Sequence, residues 1–295
     1  MPALGYGVGT AWFKSAGGQG EAALIAGVEA ALDAGFRHID EAEMYQNEVA
    51  TGVAIARWFK RNPEVTRDEL FVTSKVLSVD GDGGVAAVCR RSLAAMHLDY
   101  FDLYLVHSPF NRDGTPFATL LPQVWKQMEA LVDEGLVREI GVSNWRIKDL
   151  KQIYDDARIK PACNQVEAHP HLAQPELLQY CAAHNIVVTA YAPLAPLTKP
   201  ALLNGPVSAQ VHTVAESHCV TPAQVLLRWA TQTGRGAITT SSKPQRLTDA
   251  LNIFAFELSR DELAAISNAG ASAPFRLFWT KTNGEFCENP LDERP

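Results

Sequence analysis

Cysteine is sparse in this 295-residue chain: Cys89, Cys163, Cys181, Cys219 and Cys287 are scattered, odd in number and never spaced as CxxC. Neither a disulfide framework nor a zinc site is implied. Basic residues are outnumbered, 26 Lys and Arg against 33 Asp and Glu, for a formal net charge of -7. Such a surface repels phosphate backbones, so no nucleic-acid partner is expected. No apolar run reaches the length of a membrane span. The first thirteen residues carry no charge and so lack the basic front of a signal peptide. The C-terminal Asp-Glu-Arg-Pro is neither a retrieval nor a prenylation signal. A reduced, cytoplasmic protein is expected, with no membrane partner and no obligate protein partner.

With 47% hydrophobic and 20% charged residues, 20 Gly and 17 Pro, the composition is that of an ordinary globular protein. Short β-branched or aromatic runs recur along it, predicting strands at 5–10, 36–40, 70–76, 101–107, 137–142, 162–166, 186–191 and 237–240. Apolar residues at helical spacing predict helices at 20–34, 46–60, 84–97, 118–134, 146–156, 174–184, 207–218 and 221–233, then 244–252 and 259–268. Thr221-Pro222 is a start signal; Gly35 and Gly135 are stop signals. Strands alternating with helices indicate a parallel sheet, and eight such units close most naturally into a (β/α)8 TIM barrel. No Pro/Gly/Ser-rich linker divides the chain. A single domain over 1–295 is expected, with a C-terminal tail from about 268 to 295.

The opening Gly5-Tyr6-Gly7-Val8-Gly9, with Asp40 ending the next strand, imitates a dinucleotide-binding Rossmann fingerprint. It fails in detail: Thr10 stands where the third glycine of GxGxxG would fall, and about ten residues separate the motif from its helix.

In a barrel, function sits where the strands end. Here every end is polar: Asp40 with Tyr45 five residues on, Lys75, His107, Ser143-Asn144, Gln165, Tyr191, and Thr240-Ser241-Ser242-Lys243. Singly, Asp40 reads as a helix cap, Lys75 as a snorkelling edge residue, His107 as a core histidine and Tyr45 as packing. On one rim they read differently. A lysine and an aspartate from adjacent strands pair, because an unpaired buried charge is costly. An ammonium beside Tyr45 lowers its pKa from about 10, so that the phenol protonates a developing alkoxide. Asp40 holds Lys75 charged, and His107 hydrogen-bonds the accepting oxygen.

The stretches His38-Ile39-Asp40-Glu41-Ala42-Glu43-Met44-Tyr45, Val72-Thr73-Ser74-Lys75 and Leu105-Val106-His107-Ser108-Pro109 resemble the catalytic tetrad motifs of the aldo-keto reductases. The similarity continues through Glu139–Asn144, Asn164–Pro170 and Ala190–Leu194. It implies the barrel fold and hydride transfer from NADPH to a small-molecule carbonyl, with Asp40, Tyr45, Lys75 and His107 catalytic and no metal. It also implies that Ser143, Asn144 and Gln165 bind the nicotinamide carboxamide and that Tyr191 stacks on its ring. Thr10, Ala192, Leu194, Ile238 and Thr240 would complete the cofactor cleft. Thr239-Thr240-Ser241 stands where most members read Pro-Lys-Ser, so the usual lysine on the 2'-phosphate is missing. Ser241, Ser242, Lys243 and Arg246 still gather hydroxyls and two cations at a helix start, which suits a phosphate and favours NADPH over NADH. The substrate pocket is expected from Trp12, Tyr45, His107, Phe110 and Trp145, with Phe275, Phe278 or Trp279 descending from the tail. Ser108 replaces a tryptophan common in relatives, which predicts a wider or more polar pocket.

The segment Thr239–Leu247 with Phe256-Glu257-Leu258 is most similar to the fungal conjugated polyketone reductases and D-arabinose dehydrogenases. Two alternatives stay open at this point. One is an NAD(P)-linked sugar or alcohol dehydrogenase. The other is a cofactor-binding regulatory subunit of the same fold.

Overall fold

The computed structural model describes residues 1–14 and 18–279. Eight strands, β1 Leu4–Gly7, β2 His38–Asp40, β3 Phe71–Val76, β4 Phe101–Val106, β5 Val137–Ser143, β6 Cys163–Glu167, β7 Val187–Tyr191 and β8 Arg235–Thr239, pair in sequence order and close β8 onto β1. All pairs are parallel. The predicted (β/α)8 TIM barrel is therefore the observed fold. The register levels the strand ends: Gly7 lies opposite Asp40, Asp40 opposite Thr73, and Ser143 opposite Gln165.

Side chains alternate across the wall, as strand geometry requires. On β4, Tyr104 and Val106 join the large apolar layer beneath the helices, whereas Leu103 and Leu105 form a separate interior cluster with Cys163. Trp58, Trp125 and Trp229, each at most 2% exposed, fill the layer between sheet and helices.

The enclosing helices are α1 Gly18–Ala34, α2 Glu48–Arg61, α3 Gly84–Met96, α4 Leu121–Asp133, α5 Ile147–Tyr154, α6 Pro175–Ala183, α7 Ala195–Thr198, α8 Pro206–His218, α9 Pro222–Gln232, α10 Pro244–Leu251 and α11 Arg260–Ala271. Thr221 caps α9 as its sequence predicts, its side chain accepting from Gln224 N at 3.3 Å. Several boundaries differ from the sequence expectation by one to three residues, and one short helix was not expected. Strand β1 stops at Gly7, although Val8 N still donates to Asp40 O at 3.1 Å. Helix α4 starts at Leu121 with Pro122 in its first turn, where proline's missing N–H costs nothing. The four-residue α7 is too short to show a period in sequence. Beyond residue 279, the expected C-terminal substrate tail lies outside the described residues, as does Cys287.

The glycines of the opening motif serve close packing. A Cβ on Gly5 or Gly7 would lie 2.7 or 2.6 Å from the Ile238 side chain, and one on Gly9 would lie 2.7 Å from the Tyr45 ring. Helix α2 packs against the end of α3 through Gly52, whose added Cβ would meet the Met96 backbone at 2.5 Å. The variant Gly52→Ala must push those helices apart and is expected to lose about 1–3 kcal/mol of stability. A lower urea midpoint with unchanged denaturant slope would show this; an unchanged midpoint would refute the packing argument.

Candidate active site

The C-terminal mouth of the barrel opens into a cavity of about 640 Å³, the size of a small-molecule site. Its walls include Thr10, Asp40, Tyr45, His107, Ser143, Asn144, Gln165, Tyr191, Ala192, Leu194, Ile238 and Thr240. Lys75 lies just behind this wall.

Lys75 is wholly buried, and its Nζ has three acceptors: Asp40 Oδ1 at 2.6 Å, the Glu41 carbonyl at 3.0 Å and the Tyr45 hydroxyl at 3.2 Å. Burial alone would lower its pKa, but Asp40 and Tyr45 outweigh that and hold it above the ordinary lysine value. Gln165 donates to the second Asp40 oxygen at 2.6 Å. Tyr45 is carried by a one-turn 3-10 segment, Glu43–Tyr45, between β2 and α2. Its ring meets His107 edge-on with centroids 5.7 Å apart.

One electrostatic expectation is overturned. Burial raises the Tyr45 pKa more than Lys75 lowers it, and Asp40 opposes the lysine, leaving the phenol pushed up to about 12. Tyr45 is therefore a protonated phenol at neutral pH. His107 is driven well below the usual histidine range by burial and then by Lys75, so it is neutral. Its Nδ1 is buried without a partner.

The expected carboxamide ligands form one network. Ser143 Oγ donates to Gln165 O at 2.7 Å, Asn144 Nδ2 to His107 O at 2.9 Å, and the Tyr191 hydroxyl to Asn144 Oδ1 at 2.8 Å. Asn144 adopts a left-handed backbone, φ 62°, a conformation asparagine tolerates better than most residues.

Three expected pocket residues do not line the cavity. Trp12 turns onto α1, its Nε1 donating to the Tyr6 hydroxyl at 3.1 Å, and Phe13 takes the wall position. Phe110 and Trp145 are 5% and 1% exposed and pack behind the site, with the Arg146 guanidinium 5.2 Å from the Phe110 ring. Nor does Ser108 widen the pocket: it is buried, and its hydroxyl closes its own turn by accepting Phe110 N at 3.0 Å. At the other end Ser241, Ser242, Lys243 and Arg246 stand outside the cavity wall, around the start of α10. Ser241 Oγ accepts Lys243 N there at 3.1 Å. Thr239 and Thr240 connect that corner to the cavity, and Thr240 Oγ1 is buried without a partner.

Of the tail aromatics, Phe278 and Trp279 line the cavity and Phe275 does not. They are held by Glu167 at the end of β6, whose carboxylate accepts Leu277 N at 2.8 Å, Phe278 N at 3.0 Å and the His169 ring at 3.0 Å. Phe278 then meets Tyr191 edge-on at 5.5 Å. Sequence reasoning missed Glu167, together with Phe13, Met44, Arg112, Thr198 and Lys199 in the wall. Phe13 and Arg112 lie in loops that carry no periodic signal, and Glu167, the last residue of β6, fell within the Asn164–Pro170 stretch without being given a role.

The sequence profile of the Aldo/keto reductase family matches residues 4–271. A NAD/NADP-dependent indole-3-acetaldehyde reductase from Schizosaccharomyces pombe is 38% identical over 283 residues, covering 94% of this chain and 95% of its own. Aldose reductase B from Dictyostelium discoideum is 36% identical, with 90% and 88% covered. Among solved structures, the aldose reductase from Schistosoma japonicum superposes with a TM-score of 0.81 at 32% identity, covering 96% of this chain and 93% of its own. Fold and relatives together define an NAD(P)H-dependent oxidoreductase on a (β/α)8 barrel. The chain belongs to the aldo/keto reductase family.

One buried acid stands behind the tetrad. Glu41 accepts Ala42 N at 3.0 Å and the Thr51 hydroxyl at 2.6 Å, and burial pushes its pKa up from 4.5 to about 8. The folded state thus keeps a proton that the unfolded chain releases at ordinary carboxylate pH. Stability present below about pH 4.5 is lost as pH rises to about 8. Glu41→Gln, which cannot ionise, is expected to flatten that decline and to match or exceed the native chain's Tm at alkaline pH. Parallel Tm curves for the two proteins would contradict it.

Proposed function

We propose that this protein reduces the carbonyl group of an aldehyde or ketone at the expense of NADPH, with Tyr45 as proton donor. The observation that carries the proposal is the buried Asp40–Lys75–Tyr45 chain of contacts, 2.6 and 3.2 Å long, opening on the cavity beside neutral His107. The cavity suits the cofactor: Ser143, Asn144 and Gln165 offer paired donors and acceptors for an amide, and Tyr191 offers a ring face. Thr10, Ala192, Leu194, Ile238 and Thr240 continue the cleft. When bound, the reduced nicotinamide supplies the hydride that adds to the carbonyl carbon.

The chain's own residues handle the proton. His107, neutral, donates its one N–H to the carbonyl oxygen and orients it. Tyr45 delivers its hydroxyl proton to the same oxygen as negative charge develops there. Lys75 then faces a phenolate instead of a phenol, an exchange that strengthens its contact, while Asp40 keeps the ammonium charged and in place. With its pKa pushed up to about 12, Tyr45 carries its proton at neutral pH, the form that can donate to a carbonyl oxygen.

Ser241, Ser242, Lys243 and Arg246 are assigned to the 2'-phosphate. The similarity of Thr239–Leu247 to the fungal conjugated polyketone reductases and D-arabinose dehydrogenases extends the substrate proposal to α-dicarbonyls and conjugated cyclic ketones. The Schizosaccharomyces pombe relative, named for an aromatic aldehyde and for both NAD and NADP, makes cofactor preference the first quantity to measure.

Tyr45→Phe is expected to cut reduction of a carbonyl panel by roughly 10²–10⁴-fold while NADPH affinity stays nearly intact; substantial residual turnover would remove Tyr45 as the donor. Native protein that binds NADPH yet reduces nothing in the panel would instead support a regulatory subunit. Replacing Lys243 and Arg246 with Ala should weaken NADPH binding about tenfold or more and leave NADH little changed. Equal loss for both cofactors would move the phosphate site elsewhere.

A further inference from the structure

The outer wall of the cavity carries a charge that proton transfer does not use. Arg112 lines the cavity from the loop after β4, with its guanidinium 5.9 Å from the centre of the Phe13 ring. Phe13 in turn meets Tyr45 edge-on at 6.4 Å. The arginine thus stands one aromatic ring away from the proposed proton donor.

The loop that presents it is braced. Phe110 bridges to Pro116, and Asn111 Nδ2 donates to Pro116 O at 3.0 Å. Beyond them the Asp80 carboxylate accepts Ala118 N and Thr119 N at 2.8 and 2.9 Å. The acid beside Arg112 in sequence is spent on its own turn: Asp113 accepts Thr115 N at 3.0 Å and the Thr115 hydroxyl at 2.6 Å. No described carboxylate forms an ion pair with Arg112. A second cation, Lys14, lies over the same Phe13 ring at 5.6 Å. Among the described residues that line the cavity Asp40 is the one acid, and both its oxygens are held, by Lys75 and Gln165. Among the described residues, an anion entering at this wall meets Arg112, with Lys14 on the same aromatic ring.

We propose that Arg112 determines specificity by binding the carboxylate of substrates that carry a carbonyl and a carboxylate on opposite sides of a short, flat apolar spacer, carboxy-substituted aromatic aldehydes being the simplest case. The inference rests on the carbonyl-reductase reading of the site. A guanidinium recognises a carboxylate with two parallel hydrogen bonds, a geometry that lysine cannot reproduce. The spacer lies along Phe13 while the carbonyl reaches Tyr45 and His107. The chemistry consumes an aldehyde and leaves an alcohol, with the carboxylate untouched.

The test compares kcat/KM for 4-carboxybenzaldehyde and 4-methylbenzaldehyde with NADPH, in the native protein and in Arg112→Gln. The native protein is expected to favour the carboxylated aldehyde by roughly tenfold or more, less so at high salt. Arg112→Gln should bring the ratio near one by raising KM for the carboxylated aldehyde. A native ratio near one, or a ratio that survives the substitution, overturns the proposal and leaves the reductase reading standing. If neither aldehyde is reduced, the reductase reading falls. Calorimetric titration of 4-carboxybenzyl alcohol against 4-methylbenzyl alcohol in the presence of NADP then still decides Arg112, and equal affinities in the native protein overturn its role.

Discussion

A charged ammonium with no exposure to water must be compensated on the spot, and the placement of Lys75 inside the barrel mouth is the constraint from which the site follows. Withdrawing the partner of such a buried ion typically costs ~3–5 kcal/mol, so Asp40 at 2.6 Å is a structural necessity before it is a chemical one. Asp40 then has a second oxygen to satisfy, and Gln165 supplies the donor. The second N–H of the ammonium goes to the Glu41 carbonyl and the third to the Tyr45 hydroxyl. Asp40, Tyr45 and Gln165 are therefore fixed by the demand to satisfy one buried cation without water.

That arrangement leaves little tolerance in the surrounding backbone. Tyr45 lies flat against Gly9, where any Cβ would collide with its ring. The glycine-rich opening of the chain, read alone as a weak nucleotide fingerprint, is instead the surface that lets a phenol approach the strand. From behind, Thr51 on α2 grips the Glu41 side chain and ties the loop that carries Tyr45 to the helix that follows it. From the far side, Glu167 draws two successive tail amides toward β6 and so sets Phe278 against Tyr191. Carboxyl groups fasten both sides of the site: Glu41 accepts Ala42 N and the Thr51 hydroxyl, and Glu167 accepts the two tail amides.

The barrel and the tetrad were legible in sequence because both obey periodic rules. Strand and helix alternation sets the topology, and strand ends set which polar residues meet; Asp40, Lys75 and His107 were readable from position alone once eight strands were counted. The wall of the cavity was not. Trp12 and Phe13 are adjacent, and which of them faces inward depends on Tyr6 offering Trp12 a hydrogen bond, a contact between β1 and a loop that no spacing encodes. Phe110 and Trp145 follow strand ends just as Tyr45 does, yet the turn closed by Ser108 buries the first, and the Trp145 carbonyl receives Asn164 from β6 at 2.8 Å. The Tyr45 pKa was misjudged for a related reason: the sequence shows the lysine that lowers it but not the depth of burial that raises it.

A division of labour follows between the barrel interior and the outer wall of the cavity. Inside the barrel, Leu103, Leu105 and Cys163 form a small apolar cluster, and Leu105 lies level with Lys75 in the β3–β4 register. The outer wall of the cavity includes Phe13, Arg112 and Trp279, together with Met44 on the turn that carries Tyr45. Asp40 and Lys75 are thereby held by strands β2 and β3, whose geometry cannot drift without exposing a charge, whereas Phe13 and Arg112 stand on connecting loops outside that buried pair.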